Sequence, residues 1–433
     1  MKAYRAALLR FKNTSDTIGE AVYEPDGLLV TSPNAQGVQT VQAAGSWAAL
    51  KGQFAGADIE HLPGRLIAPG FIDLHLHYPQ TDIIGSPAPG LLPWLENYTF
   101  PEEAKFADPG HSAAAAAFFL EELKRNGVTS ALVFASAHTA SVQALFEAAQ
   151  AERMRLVTGL CLMDRHAPPG VLNPTEQSLI DTETLIRQWH GKDRLGYAIT
   201  PRFAPSCSDA QLHGAGQLAA RYPDVWIQSH VAENPDEIAW ARELFPKSRS
   251  YLSVYDDFGL MRRKAIYAHC IHLDAQDRAL MRATGAAASV CPTSNLFLGS
   301  GFFDFAAAQA AGVLHGLASD VGGGTSFSPF HTMLAAYYVG RTALHGSVPK
   351  AGLSLSPQHL WWLHTAGAAQ AMGWGDRVGS LQVGCEADFV VLNPQATPLL
   401  ERRTQRANSL DELLFAMIVL GDDRLVERTV LAG

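Results

Sequence analysis

Five residues that can bind a metal ion are spread along the chain, each at the end of an apolar segment. They are His75, His77, His230, His269 and Asp320. Histidine nitrogens together with one carboxylate oxygen suit Zn²⁺, and also Fe²⁺. A metal ion with an open position lowers the pKa of its bound water and makes hydroxide available near neutral pH. The residue types therefore predict metal-assisted hydrolysis, provided that the fold brings them together.

The strand predicted over residues 71–77 carries the first two histidines, and its residues alternate in polarity. One face is expected to carry Ile72, Leu74 and Leu76, and the other Phe71, Asp73, His75 and His77. The apolar face would meet outer helices, and the polar face would end inside a barrel mouth. An isolated His-x-His pair is more often a solvated or hydrogen-bonded pair than a metal site. The other polar strand ends favour the metal site here.

Strands and helices alternate from about residue 66 onward. Eight strands are predicted, over 71–77, 128–134, 155–160, 195–201, 225–230, 265–269, 286–291 and 313–319. Helices are predicted between them, over 112–126, 138–152, 175–190, 208–221, 235–245, 273–284 and 303–311. Alternation of this kind is typical of a parallel sheet, and eight units favour a closed (β/α)8 TIM-type barrel. Because the carboxyl ends of barrel strands meet at one mouth, we expect the metal-binding candidates to converge there.

The five candidates differ in how firmly a role can be assigned. His75, His77, His230 and Asp320 are predicted to hold the ion. His269 either binds the ion or hydrogen-bonds the hydroxide. A lysine on the fourth strand would indicate a second, bridged metal ion. Since residues 195–202 contain no lysine, we predict one ion per subunit.

Glu233 follows His230 by three residues and is the candidate proton carrier. It stands directly before Asn234-Pro235, a favourable helix start. A carboxylate beside a metal ion could move a proton between water and substrate. The alternative is a carboxylate that merely benefits from the helix dipole.

Both ends of the chain have a β-like pattern. We expect residues 1–67 with 376–433 to form a small β-sandwich domain, and residues 68–375 to form the barrel. The long connection over 78–111 holds six prolines as well as Trp94 and Tyr98. It is either a substrate-binding loop at the mouth or an aromatic-packed surface loop.

The bulk composition excludes several classes of protein. The chain has 433 residues, a net charge of −9 and five cysteines. The negative charge argues against a nucleic-acid surface. The odd number of cysteines without framework spacing predicts reduced thiols in a cytoplasmic protein. We expect no signal peptide in the first 12 residues, and the apolar run over 113–120 is too short to span a membrane.

Several segments together resemble the amidohydrolase superfamily, in its mononuclear aminohydrolase branch. The matching segments are Pro69–His77, Ser229–Asn234, Ala268–Cys270, Cys291–Asn295, Ser319–Asp320 and Gly379–Leu392. Three further segments are similar to the guanine deaminase family within it, namely His77–Gln80, Trp94–Pro101 and Pro201–Cys207. The resemblance covers nearly the whole chain.

The resemblance implies hydrolytic deamination of guanine to xanthine and ammonia by a metal-bound hydroxide, in a homodimer. It implies catalytic roles for Glu233, Asp320 and His269. It implies substrate contacts from His77, Gln80, Trp94, Arg202, Phe203, His230, Glu233 and Asp320. Guanine offers O6 and N7 acceptors, which suit an arginine fork such as that of Arg202. A structural ion pair is the alternative role for Arg202, and core packing for Phe203 and Trp94.

Two other functions compete with this hypothesis. The same chemistry could act on another purine, a pterin or a triazine ring. A catalytically silent amidohydrolase fold could instead serve as a scaffold, which the intact set of candidate ligands and Glu233 argue against. The expected ligand is the free base, without nucleic acid or membrane partners.

Overall fold

The computed structural model describes residues 1–12, 19–54, 56–343 and 352–432. Eight parallel strands follow one another along a single sheet: Phe71–His77, Val128–Phe134, Arg155–Gly159, Leu195–Pro201, Trp226–Val231, Ala265–His269, Ala287–Val290 and Leu314–Leu317. A two-residue strand, Cys161–Leu162, pairs with the fourth of them. The sheet closes just past the eighth strand, where Asp320 N donates to His75 O at 2.9 Å and His77 N donates to Val321 O at 2.6 Å. The predicted barrel is confirmed, with each strand within two residues of its expected bounds.

The seven helices predicted between the strands are also present. They span Pro109–Arg125, Thr139–Ala151, Thr175–Trp189, Asp209–Arg221, Pro235–Leu244, Ala275–Thr284 and Phe305–Ala311. Among the described residues of 68–375, five more α-helices of at least six residues, which the sequence pattern did not predict, span Tyr251–Asp257, Pro292–Phe297, Pro329–Ala343, Pro357–Leu363 and Ala366–Met372. Among the described residues, no helix is both long and apolar enough to cross a bilayer.

The helix Ala366–Met372 covers the amino-terminal end of the barrel. Ala368, Ala369 and Ala371 pack in one cluster with strand side chains that include Leu132 and Val157. Trp226 Nε1 donates to Met372 O at 3.0 Å at the same end. The barrel is therefore a filled core that is sealed below, which leaves the carboxyl ends of the strands as the mouth.

The first barrel strand corrects one expectation. Ile72 and Leu74 belong to the interior cluster, whereas Leu76 packs in the outer cluster with the surrounding helices. The pairing with the second strand shifts register between Asp73 and Leu76. An extra residue in a strand reverses the side-chain alternation beyond it. The prediction that Ile72, Leu74 and Leu76 share one outward face is therefore wrong.

The two ends of the chain combine in one six-stranded sheet, as expected. Its spatial order is Val426–Val430, Phe389–Leu392, Ile59–Pro69, Lys2–Phe11, Ala21–Pro33 and Gln39–Ser46. One face contributes Leu66, Ala68 and Val390 to the barrel-side core, and the other buries Tyr4 against Phe389. The domain boundaries at residues 67/68 and 375/376 stay a prediction.

The region after residue 376 is less β-like than predicted. Besides its two strands it contains the helices Pro398–Thr404 and Leu410–Leu420. The apolar run of the second helix is ambiguous, because a short apolar run fits a buried strand as well as a helix. Ser409 resolves the choice, since its side chain caps the helix by accepting from Glu412 N.

A buried ion-pair cluster joins the barrel to the terminal sheet. Arg194, just before the fourth barrel strand, contacts Glu386 at 2.7 Å and also pairs with Asp388. Arg155 of the third strand pairs with the same Glu386 carboxylate. Both acids precede the strand Phe389–Leu392, so the cluster ties residues almost 200 positions apart in the chain.

Glu386→Gln should destabilise the protein. The change removes the shared carboxylate and leaves the Arg155 guanidinium buried with less compensation, which we expect to lower the free energy of unfolding by about 2 kcal/mol. Urea unfolding followed by circular dichroism measures it. Glu243→Gln makes the same chemical change at an exposed site and should have no effect, and an unchanged midpoint for Glu386→Gln would contradict the prediction.

Candidate active site

Three imidazoles converge at the barrel mouth through their Nε2 atoms. His77 Nε2 lies 3.2 Å from His75 Nε2 and 3.1 Å from His230 Nε2. Asp320 Oδ1 lies 3.1 Å from His75 Nε2 and 3.4 Å from His77 Nε2. Asp320 follows the eighth strand, so residues from the two ends of the barrel sequence meet at its seam.

His269 completes the group from the sixth strand. Its Nε2 lies 3.8 Å from Asp320 Oδ2 and 3.3 Å from Glu233 Oε2. The structure thus brings together all five predicted metal-binding residues and the candidate proton carrier. His269 stands between the carboxylates of Asp320 and Glu233, a position from which it can contact either an ion or a reacting water.

Hydrogen bonds orient two of the imidazoles toward the centre. His230 Nδ1 lies 2.6 Å from Arg202 O, and because a carbonyl only accepts, Nδ1 carries the proton. His269 Nδ1 lies 2.8 Å from Asn295 Oδ1, which accepts in the same way. Each Nε2 therefore presents a lone pair to the cluster. A partner that sets the tautomer of a ligating histidine is characteristic of metal sites.

Burial favours the neutral form of His75, His77 and His230. It lowers the pKa of His77 to about 4 and also lowers the pKa of His75 and His230. Burial acts to raise the pKa of Asp320, but the neighbouring histidines outweigh it and hold that pKa well below its ordinary value. Neutral nitrogen donors around one ionised carboxylate fit a divalent cation such as Zn²⁺ or Fe²⁺.

The buried carboxyl of Glu233 has the opposite property. Burial, together with the charge of Asp320, raises the pKa of Glu233 to about 8. Ser300 Oγ donates to Glu233 Oε1 at 3.0 Å and holds the side chain in place. Two nearby carboxyl groups with pKa values pushed apart can serve as an acid and a base in one reaction.

Asp73 lies below the cluster and does not reach its centre. Its Oδ1 accepts from His75 N at 3.2 Å and from Ser319 N at 3.1 Å. Asp73 therefore links the backbone of a candidate ligand on the first strand to the residue that precedes Asp320.

A cavity of about 410 Å³ opens above the metal-binding residues. Its lining includes every predicted substrate contact, namely His77, Gln80, Trp94, Arg202, Phe203, His230, Glu233 and Asp320. Leu91, Leu95 and Leu298 complete the apolar wall. The segment after the first strand contributes Gln80, Leu91, Trp94 and Leu95, so it is part of the cavity wall and not a detached surface loop.

Sequence reasoning missed two acidic residues, Glu237 in the cavity wall and Glu103 behind it. Glu237 accepts from the backbone N of Glu233 at 3.1 Å and receives a hydrogen bond from Tyr251 at 2.7 Å. Its spacing after Asn234 matches a capping box, which is a signal that the sequence does contain. Glu103 forms a buried ion pair with Arg202 at 2.7 Å, and no motif indicated it. Arg202 therefore combines the two roles left open, since it is ion-paired and also lines the cavity.

Cys291 lies beside the cluster without a predicted role. Its Sγ is within 4.8 Å of ligand atoms of His75, His269 and Asp320. Burial raises the pKa of this thiol well above its ordinary value, so it is protonated at neutral pH and a poorer ligand than the imidazoles.

Asn295→Ala should reduce activity through His269. Without the Oδ1 acceptor, the imidazole loses the bond that sets its tautomer, and we expect kcat/KM to fall by about 10- to 100-fold. Steady-state kinetics and metal content per subunit measure the effect. Asn126→Ala is the matched control, because Asn126 is also buried but bonds only to a helix carbonyl remote from the mouth. Equal activity of the two variants would contradict this role.

Comparisons with known proteins agree with the geometry. A profile of the amidohydrolase family matches residues 66–433. The chain therefore belongs to the amidohydrolase family, a class of barrel hydrolases. The guanine deaminase of Escherichia coli (strain K12) is 40% identical over 438 aligned residues, which cover 100% of this chain and 97% of that protein. By this likeness the chain falls in the guanine deaminase group of the family.

Solved structures give the same result. The structure of E. coli guanine deaminase matches with a TM-score of 0.94 and 39% identity, covering 100% of this chain and 98% of that one. A guanine deaminase from C. acetobutylicum, solved with guanine bound in its active site, matches with a TM-score of 0.90 and 31% identity, covering 100% and 99%. Both extend over the barrel and the terminal sheet.

Proposed function

We propose that this protein hydrolyses guanine to xanthine and ammonia. The observation that carries the proposal is the position of Glu233 and Asp320 on the wall of one small cavity, beside convergent imidazoles. A narrow cavity walled by buried side chains suits a single base better than a polymer. The likeness to guanine deaminases over the full chain supports guanine as that base.

We propose that His75, His77, His230 and Asp320 hold one divalent ion, Zn²⁺ or Fe²⁺, with His269 as a further ligand or as a partner of the reacting water. Ligand atoms of His75, His77 and His230 lie within 4.8 Å of one another, and Asp320 Oδ1 lies 3.1 Å from His75 Nε2 and 3.4 Å from His77 Nε2. When bound, such an ion supplies hydroxide at neutral pH and stabilises charge at the reacting carbon.

Asp320 acts as the base and Glu233 as the acid, and each carries out a different proton transfer. Asp320, assisted by His269, accepts a proton as water attacks C2 of guanine. Glu233 donates a proton to the ring nitrogen beside C2, a role that suits a carboxyl group whose pKa is raised to about 8. The proton on Asp320 passes to the C2 amino group, the C–N bond breaks and ammonia leaves. The second proton of the water, now on the oxygen bound to C2, passes to Glu233 as the C2 carbonyl of xanthine forms. This step restores the protonated carboxyl of Glu233.

Recognition of the base is assigned to the remaining cavity residues. Arg202 donates to the O6 and N7 edge, and Gln80 binds along another edge with its amide. Phe203 and Trp94, both buried in the wall, lie in positions to contact the ring faces. These contacts would hold C2 over Glu233 and Asp320.

Ammonia release from guanine, adenine, cytosine, a pterin and a triazine tests the proposal. Metal-loaded protein is expected to release ammonia rapidly from guanine and slowly or not at all from the others. Preference for another ring would retain the hydrolytic chemistry and reject guanine. Absence of release from every ring, with metal bound, would reject a deaminase. A homodimeric assembly and a cytoplasmic location stay predictions, the first of which light scattering tests directly.

A further inference from the structure

One buried carboxylate contacts both Arg202 and Gln80, the two polar residues that are assigned to bind the edges of guanine. Glu103 ends the short helix Phe100–Glu103 within the long connection after the first barrel strand. Its side chain has no solvent exposure, and that of Arg202 only 3%. Gln80 Nε2 donates to Glu103 Oε1 at 2.8 Å, and Arg202 Nη1 donates to the two oxygens at 3.0 and 2.7 Å. Glu103 thus stands between two cavity residues that are more than 100 positions apart in the chain.

The neighbours of Gln80 determine which way its amide faces. Gly322 N, which can only donate, lies 3.3 Å from Gln80 Oε1. The Glu103 carboxylate, which can only accept, lies on the Nε2 side. A flipped amide would set two donors against each other at Gly322 and two acceptors at Glu103. One N–H and one oxygen lone pair of Gln80 then remain beyond these two bonds, in a single orientation.

The guanidinium of Arg202 is held in a similar way. Both bonds to Glu103 leave from Nη1, so the carboxylate does not use Nη2. The guanidinium carbon lies 5.5 Å from the centre of the Phe100 ring, on the same short helix as Glu103. Charge pairing and ring contact together limit rotation of the guanidinium, and the Arg202 side chain also lines the cavity.

We propose that Glu103 is a positioning residue that sets the preference for guanine by holding the Gln80 amide and the Arg202 guanidinium in one donor–acceptor pattern. The inference rests on guanine hydrolysis as the proposed function. It assigns Glu103 no contact with the reacting atoms. Its effect belongs to recognition of the base edge, and therefore to discrimination between rings.

The substitution Glu103→Gln would remove the acceptor-only group that fixes the orientation of Gln80, while keeping the shape of the side chain. An amide presents both a donor and an acceptor. It can therefore pair with either orientation of Gln80, and it no longer neutralises the Arg202 guanidinium. Aspartate keeps an acceptor-only carboxylate on a side chain one carbon shorter, so it should restore part of the constraint.

The test compares guanine with 2-aminopurine, which carries the same C2 amino group but lacks O6. For Glu103→Gln we expect kcat/KM with guanine to fall on the order of 100-fold, chiefly through KM, and kcat/KM with 2-aminopurine to fall only about threefold, because this base keeps N7 but has no O6 to lose. The preference for guanine should therefore fall by more than about tenfold. If 2-aminopurine binds without reacting, its competitive inhibition constant replaces its kcat/KM, and we expect that constant to rise by only about threefold. Glu103→Asp should recover part of the preference.

Glu386→Gln is the matched control, since it breaks another buried arginine–glutamate pair away from the cavity. It should leave the guanine preference unchanged whatever its effect on stability. An equal loss on both bases in Glu103→Gln would show a purely structural role and overturn the inference. If that variant does not fold, the Glu103→Asp variant decides the matter in the same way, with a roughly tenfold selective loss on guanine expected. No ammonia from guanine with the wild-type protein would instead overturn the proposed function, and the inference with it.

Discussion

Glu233→Gln is expected to lower kcat for guanine by about 10²- to 10⁴-fold. Glutamine keeps the size of the side chain and can still pair with Ser300, but it cannot give its proton to the ring nitrogen. The raised pKa of Glu233, about 8, means that the wild-type carboxyl is mostly protonated at pH 7, so the substitution removes a proton donor and not a negative charge. KM should therefore change far less than kcat.

The measurement is steady-state ammonia release at pH 7, with metal content determined for each preparation. Glu243→Gln is the control for Glu233→Gln, because it makes the same chemical change on the exposed face of the following helix and should behave as wild type. A Glu233→Gln variant with normal kcat would remove Glu233 from the reaction. A variant that loses metal as well as activity would point to a structural role for the carboxyl.

His230→Ala should remove both the bound metal and the activity. His75 Nε2 and His230 Nε2 lie 3.2 and 3.1 Å from His77 Nε2. Loss of His230 therefore removes one of the three nitrogen ligands assigned to the ion. We expect kcat/KM to fall by at least roughly 10³-fold, because the attacking water then keeps a pKa near 15.7 in place of about 7. Chelation of the wild-type protein should produce the same loss, and added Zn²⁺ or Fe²⁺ should reverse it.

Elemental analysis of washed protein measures the metal content per subunit, which tests this prediction. One ion per subunit is expected in the wild type. His213→Ala, an exposed histidine on the helix Asp209–Arg221, is the control and should keep metal and activity. An active His230→Ala protein, or a wild type that works fully after chelation, would contradict the assigned role. Comparing Zn²⁺ with Fe²⁺ in the reloading step identifies the ion that supports the faster reaction.

Much of this architecture could be predicted from the sequence because it depends on local periodicity. The eight strands and the seven helices between them follow patterns that extend over 4 to 17 residues, and parallel connections leave few topologies other than a barrel. The candidate metal-binding residues could be predicted for a related reason. Each follows or ends a strand, and barrel closure brings the carboxyl ends of all strands to one mouth. Their convergence therefore needs no knowledge of side-chain packing.

Contacts between distant segments could not be predicted. The register shift between Asp73 and Leu76 places Ile72 and Leu74 inside the barrel, against the simple alternation of that strand. The pairing of Glu103 with Arg202 spans 99 positions, and Glu103 lies in a segment whose sequence shows no acidic motif. The helix Leu410–Leu420 was missed because its apolar run has no strong period.

The sequence by itself determined the class of fold, the set of candidate metal-binding residues and the candidate proton carrier, because these depend on residue type and on position relative to strand ends. Tertiary structure alone decided which lone pairs face the centre, through Arg202 O and Asn295. It alone decided that Glu103 holds Gln80 and Arg202 together. The physical reason is the separation along the chain over which each property acts. Periodicity and strand ends are local properties, whereas hydrogen bonds and ion pairs in a buried site join residues whose separation in the chain carries no information about their contact.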